Sequence, residues 1–344
     1  MRAIPDADLE EVLAQGKGLW EGLRGARLFI TGGTGFFGCW LLESFLHANR
    51  KLGLKAEATV LTRDEEAFLK RRPHLASCAE LRFLRGDVRS FQFPEGRCSH
   101  VIHAATEASA RLDKEQPDLM RETIVGGTRR ALEFAKSCGA KDFLFTSSGA
   151  VYGRQPDEMT HIPEDYEWAP SPASSAYAEG KRAAEALCAE YAKRCGIRTK
   201  IARGFAFVGP CLPLDAHFAV GNFIRDALRG GAIEVRGDGT PYRSYLYAAD
   251  LAAWLWTILL RGESCRPYNV GSEHRVSILE LARSVAKALK PGMPIHVEKA
   301  PEPGKPPEQY VPSTQRARSE LGLRETVGLE EAVRRTADWA LHAS

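Results

Sequence analysis

The sequence predicts an α/β protein built on a doubly wound parallel sheet, with a smaller lobe toward the C-terminus. Two observations carry this. Short apolar runs alternate with helical stretches from about residue 27 to residue 204, and they are too apolar to leave one face wet, so helices must cover both faces. A glycine-rich turn, Thr31-Gly-Gly-Thr-Gly-Phe-Phe-Gly38, joins the first run to the first long helix. The length of 344 residues suits about two units at roughly 150 residues each.

The elements follow in order. Residues 6–16 read as a short amphipathic helix, capped by Asp6 or Asp8 and stopped by Gly16. Strands are predicted at Arg27 to Thr31, Ala58 to Leu61, Leu81 to Leu84, His100 to His103, Phe143 to Thr146 and Thr199 to Ala202. Helices are predicted at Gly38 to Arg50, Leu119 to Ser137 and Tyr177 to Cys195. After about residue 204 loops lengthen and prolines gather between Pro291 and Pro307, and the chain closes on a helix from Leu329 to His342. The stretch 301–307 reads as an extended surface loop.

Composition excludes several classes. A formal charge of +3, with no Lys/Arg block, argues against a nucleic-acid partner. The longest apolar stretch, Leu251 to Leu260, is half the roughly 20 residues a membrane helix needs. The N-terminus carries no apolar signal core. Eight cysteines are scattered without a CxxC pair, so reduced thiols in a cytoplasmic protein are expected, and no metal site.

The glycine turn has chemistry of its own. Glycines 32, 35 and 38 have the spacing GxxGxxG. A turn this tight lets backbone approach a pyrophosphate, and the helix behind it offers free N–H groups. Gly32, Gly35, Phe36, Phe37 and Gly38 are therefore candidate dinucleotide-binding residues. The end of the second strand bears on which dinucleotide. Thr62-Arg63-Asp64 offers a base for the 2′-phosphate of NADP, but an acid follows it directly. Arg63 tips the reading to NADP; NAD stays open. Asp87, with Val88 behind it, could accept from the adenine amino group or cap the next helix. Ala104, Ala105 and Thr106 would let the cofactor lie against backbone. His103 reads as a packed strand residue.

Tyr177-Ala-Glu-Gly-Lys181 has i, i+4 spacing, which puts phenol and ammonium on one helix face. A nearby cation and a nicotinamide's charge would favour the phenolate. Lowering its pKa by about three units takes roughly 4 kcal/mol. The small-residue run Phe145-Thr-Ser-Ser-Gly-Ala-Val-Tyr-Gly153 ends the fifth strand, and a serine hydroxyl there could bond the same substrate oxygen.

Together TGGTGFFG, SSGAVYG, YAEGK, RGFAFVGP, GDG with YRSYLYAADL, and YNVGS resemble the extended short-chain dehydrogenase/reductases, in the nucleotide-sugar epimerase/dehydratase branch. The resemblance runs from about residue 26 to the C-terminus and leaves out residues 1–24. It implies a Rossmann-type fold and a Ser148, Tyr177, Lys181 catalytic set. Tyr177 would be general acid/base, Ser148 would orient the substrate oxygen, and Lys181 would hold the nicotinamide ribose and lower the Tyr177 pKa. It also implies that Asn222 and Arg243 hold the diphosphate of a nucleotide-sugar substrate. A homodimer through the helices near 119–137 and 177–195 follows by the same analogy. Residues 25–204 with about 244–265 would form the dinucleotide-binding domain. Residues 205–243 and 266–344 would form the sugar-nucleotide lobe.

Two departures shape the functional reading. Dehydratases and decarboxylases of this branch carry an acid just before Val-Tyr-Gly, where this chain has Gly149 and Ala150. Water elimination and decarboxylation are disfavoured for that reason. The branch's Arg-x-Phe-Asn reads Arg203-Gly-Phe-Ala206 here, which removes one usual substrate contact. The expected chemistry is hydride transfer at a sugar carbon, carbon 4 first, as a 4-ketoreductase or a 4-epimerase. The alternatives are a reductase of a small non-nucleotide carbonyl compound and a non-catalytic dinucleotide sensor. The loops 154–176 and 209–221, which would select the nucleotide and sugar, carry no readable pattern.

Overall fold

A computed structural model describes residues 2–106, 110–167, 174–216 and 218–342; side chains of residues 110 and 111 are outside the description. Residues 168–173 and 217, within the two unreadable loops, therefore lie outside the described residues.

The core is a seven-stranded parallel sheet. Its strands are β1 (Arg27–Thr31), β2 (Glu57–Thr62), β3 (Leu81–Arg85), β4 (His100–His103), β5 (Asp142–Ser148), β6 (Arg198–Gly204) and β7 (Pro267–Val270). The order is β7-β6-β5-β4-β1-β2-β3. The winding direction therefore reverses between β1 and β4. Ligands of open α/β sheets bind at such a point, beyond the carboxyl ends of the strands. β7 comes from the stretch that the sequence places with the second lobe. It pairs with β6 at the sheet edge, Tyr268 opposite Ala202.

The apolar runs are apolar because alternate residues face different helix layers. Leu28, Ile30 and Leu144 join a core built with helix α2 (Phe36–Leu52). Phe29, Phe143 and Phe145 join a separate core on the opposite face. That core is covered by α3 (Pro117–Cys138) and α4 (Ala176–Cys195). Phe29 lies 4.4 Å from Phe134 of α3, ring to ring. α4 starts where Ser175 accepts from the Ala178 amide at 3.1 Å, and stops at Gly196 in the left-handed region, φ 69°.

The C-terminal part adds α5 (Ala219–Arg229), α6 (Ala248–Arg261), α7 (Ile278–Leu289) and α8 (Leu329–Leu341). The apolar run at 251–260 is α6, buried all round beneath the sheet with Trp254 and Trp256 almost fully enclosed. Among the described residues no helix is long and apolar enough to cross a membrane. A small three-stranded sheet places Tyr242–Arg243 between Val276–Ser277 and Gln309–Tyr310, with Tyr310 opposite Arg243.

The N-terminal helix α1 spans Asp6–Gln15 and ends at Gly16. Neither Asp6 nor Asp8 caps it; Pro5 holds the N-cap position without a side-chain bond. Asp8 instead points inward, accepting from the Tyr247 hydroxyl and Arg335 Nη1, both at 2.7 Å. Burial raises its carboxyl pKa, against the lowering pull of Tyr247 and Arg335. Trp20 meets Trp256 of α6 at 5.4 Å with the ring planes tilted by 53°, so the extension is docked on the sheet-covering layer.

Candidate active site

The glycine turn is closed by backbone contact, against the segment after β4 at Gly32 and against its own start at Gly38. A Cβ on Gly32, at φ 72°, would meet the Ala104 carbonyl at 2.4 Å. A Cβ on Gly38 would meet Gly32 O at 2.3 Å. Gly35 differs: it is exposed, and a Cβ there would come no closer than 3.5 Å to Gly32 O. The chain's own packing does not demand this glycine, and its bare face is the open side of the cradle. No side chain caps α2 and no acid lies in its first turn, so first-turn amides remain available to an anion. The turn therefore fits a pyrophosphate. Phe37 meets Phe207 edge-on at 5.0 Å, which makes its side chain packing and leaves the backbone to the ligand.

At the end of β2 the Arg–Asp pair separates. Asp64 caps the next short helix, accepting from the Ala67 amide at 2.9 Å. Arg63 is exposed and has no hydrogen bond or ion pair among the described residues. Asp87 does not cap a helix. Both its oxygens accept from the Arg89 guanidinium, at 2.9 and 3.2 Å, and this bond holds its carboxyl below the usual range. Val88 packs against α3 at Gly127, where a Cβ would stand 3.0 Å from it.

Beyond the ends of β4 and β5 the predicted set of Ser148, Tyr177 and Lys181 comes together, the last two from α4. His103 is buried and neutral, its Nδ1 2.7 Å from Thr31 Oγ1 and its Nε2 3.0 Å from Thr128 Oγ1. Burial, then the nearby Lys181, push its pKa down to about 3. Lys181 donates to Thr106 Oγ1 at 3.0 Å and to Thr146 O at 2.7 Å. Burial pulls its ammonium down to about 7, against the opposing pull of Glu185. Ala105 N donates to Thr31 Oγ1 at 3.2 Å, fixing the 104–106 segment over the sheet end.

Tyr177 departs from the sequence expectation. Burial raises its phenol, and Ser148, which hydrogen-bonds to it, pulls the value back. Lys181 is not a cause of lowering here. Its ammonium is turned to Thr106 and Thr146, 5.6 Å from the centre of the Tyr177 ring. Desolvation outweighs the one hydrogen bond, from Ser148, that favours the phenolate.

The predicted diphosphate residues sit apart. Asn222 on α5 accepts from Arg225 Nη1 at 2.9 Å and faces an open pocket of about 530 Å³ shared with Arg236 and Asp238. Arg243 is not part of that pocket's wall. It donates to Tyr242 O at 2.8 Å and lies 5.9 Å from the Tyr310 ring centre. Sequence reasoning missed Tyr310. Its hydroxyl is 3.4 Å from Ser148 Oγ, 162 positions away in the chain. A second missed feature is the brace behind the site. Arg203 pairs with Glu185 at 2.7 Å and donates to the Tyr152 hydroxyl at 2.8 Å. Among the described residues no group of three or more His, Cys, Asp or Glu side chains could hold a metal.

A glycine cradle at the switch point, beside a serine, a tyrosine and a lysine at the end of β5, defines a Rossmann-type dinucleotide-binding protein. The chain belongs to the NAD dependent epimerase/dehydratase family, which it matches over residues 28–271. It is 34% identical to UDP-glucuronic acid decarboxylase 3 of Arabidopsis thaliana, covering 89% of this chain and 86% of that one. It superposes on the UDP-N-acetylglucosamine 4-epimerase of Methanobrevibacter ruminantium with TM-score 0.80 at 18% identity, over 93% of this chain and 100% of that one. Against the UDP-glucose 4-epimerase of Thermus thermophilus in complex with NAD the TM-score is 0.75 at 26% identity, over 92% and 100%.

Proposed function

We propose that the protein transfers hydride at a carbon of a nucleotide-linked sugar, carbon 4 first, as a 4-ketoreductase or a 4-epimerase. The observation that carries this is a Ser148–Tyr177–Lys181 set beside an intact glycine cradle, with no carboxyl group before Val151. The decarboxylase names of the relatives favour a second reading, loss of carbon dioxide. Ala150 stands where that chemistry wants an acid. Gly149 has no room for one, since a Cβ there would be 2.6 Å from the Phe205 ring.

The residues divide the work. The 32–38 turn would hold the pyrophosphate, residues 104–106 would floor the cofactor, and Lys181 would reach its ribose. Bound nicotinamide would supply hydride exchange with the sugar carbon. Tyr177 would take the proton of a hydroxyl being oxidised or give one to the oxygen of a ketone being reduced, and Ser148 would hold that oxygen. Asn222 and Arg243 hold the sugar-nucleotide diphosphate, the guanidinium as a two-pronged donor. Asp87 would accept from the adenine amino group once its bond to Arg89 is given up. The two-lobe division of the chain and a dimer through α3 and α4 belong to the same reading. A solution mass at the 37.9 kDa of one chain rejects the dimer.

Mass spectrometry of nucleotide released on denaturation tests the cofactor. Stoichiometric NAD favours the epimerase. An empty protein that binds NADPH more tightly than NADH favours the ketoreductase and gives the unpaired Arg63 its role. In that case Arg63→Ser weakens NADPH about 10–100-fold and leaves NADH unchanged. Binding of neither dinucleotide refutes the whole proposal.

A further inference from the structure

We propose that Tyr310 is a positioning residue of the catalytic set: its hydroxyl sets the direction of the Ser148 hydroxyl, and through it stabilises the phenolate form of Tyr177. The inference rests on the hydride-transfer reading above. Tyr310 arrives on the short strand Gln309–Tyr310, in register with Arg243. Its hydroxyl is 3.4 Å from Ser148 Oγ and 3.5 Å from Gly204 O. Its ring lies 4.7 Å from that of Phe205. Both fill the space a side chain at 149 would need, since a Cβ on Gly149 would be 2.8 Å from the Tyr310 oxygen.

The argument is a count of protons. A phenol has one to donate, and a carbonyl can only accept. When Tyr310 donates to Gly204 O, Ser148 can donate to Tyr310 and its proton is lost to Tyr177. When Tyr310 donates to Ser148, the serine proton is free for a phenolate at Tyr177, and the accepted bond polarises the serine hydroxyl and strengthens the one it gives, a gain that Tyr310→Phe removes. The second arrangement is the one the base form requires. Burial keeps the Tyr310 phenol above its ordinary value, so it stays a donor throughout. The groups facing Tyr177 come from several elements. Lys181 lies on its own helix, with Glu185 and His103 around it; Asp113 accepts from the Tyr177 amide at 2.8 Å; Ser148 comes from β5; Arg243 stands behind Tyr310. Tyr310→Phe changes none of these.

The test is a tyrosinate absorbance titration of the full-length protein, with and without saturating NAD. Tyr177 is isolated as the difference between each protein and its Tyr177→Phe counterpart. In Tyr310→Phe the Tyr177 midpoint is expected to rise by about half to one pH unit, the size of one hydrogen bond. Gly149→Ala, which pushes the Tyr310 oxygen off Ser148, is expected to move it the same way. A midpoint unmoved in both variants overturns the inference and leaves the hydride-transfer reading standing, because the titration needs no substrate. Failure of that reading appears separately, as a protein that binds neither NAD nor NADP.

Discussion

Acid should weaken this protein markedly at His103. Each ring nitrogen faces a threonine hydroxyl, and the side chain is 1% exposed. Its pKa of about 3 lies well below the roughly 6.5 of an unfolded histidine. Between these values the unfolded chain binds the extra proton and the folded chain does not. Stability is therefore complete above about pH 6.5 and is lost as pH falls toward 3. At 1.36 kcal/mol per unit the loss is roughly 2 kcal/mol at pH 5 and roughly 5 kcal/mol by pH 3. A domain's total is about 5–15 kcal/mol, so this is a large share from one side chain. The assay is urea unfolding of the wild type and His103→Gln across about pH 7.5 to pH 4.5. Carboxylates titrate alike in both proteins, so the difference reports His103. It should shrink by about 2 kcal/mol between pH 7 and pH 5 as the wild type alone weakens. Parallel curves would refute the reasoning.

Two further perturbations probe the cradle and the N-terminal clasp. Gly38→Ala places a Cβ 2.3 Å from Gly32 O and 2.4 Å from Gly33 Cα. Backbone must shift, so dinucleotide affinity is expected to fall by about 100-fold or more in a fluorescence titration; unchanged affinity would mean the turn does not bind it. Arg335→Met leaves Asp8 buried without its cation, at a cost of roughly 3 kcal/mol in thermal or urea unfolding. Adding Asp8→Asn should recover most of that loss, and strictly additive effects would show that the pair is not coupled.

How much was legible in the sequence follows the range of the interactions. The strands of the core could be read because each apolar position serves a helix layer within the same neighbourhood. The glycine turn could be read because its spacing is local and Gly38 answers to Gly32 and Gly33 a few residues away, whereas Gly32 answers to the distant backbone of Ala104 and Ala105. Tyr177 and Lys181 could be read because helix geometry alone puts them on one face. The helix at residues 6–15 was legible too, but the role of Asp8 was not, since its partners are Tyr247 and Arg335.

The sequence by itself thus determined the parallel sheet, a glycine turn of dinucleotide-binding spacing, and the placing of Tyr177 and Lys181 on one helix face. Those rest on local rules: strand alternation, a turn only glycine permits, and a four-residue helical spacing. Only the tertiary structure decided their state. It turned Lys181 toward Thr106 and Thr146, freed Arg63 by giving Asp64 to a helix cap, and engaged Asp87 with Arg89. It also brought Tyr310 to Ser148 across 162 positions, on a strand of two residues that has no pattern to read. Burial and partner choice at these atoms depend on which distant segments pack together, and no local rule of sequence encodes that.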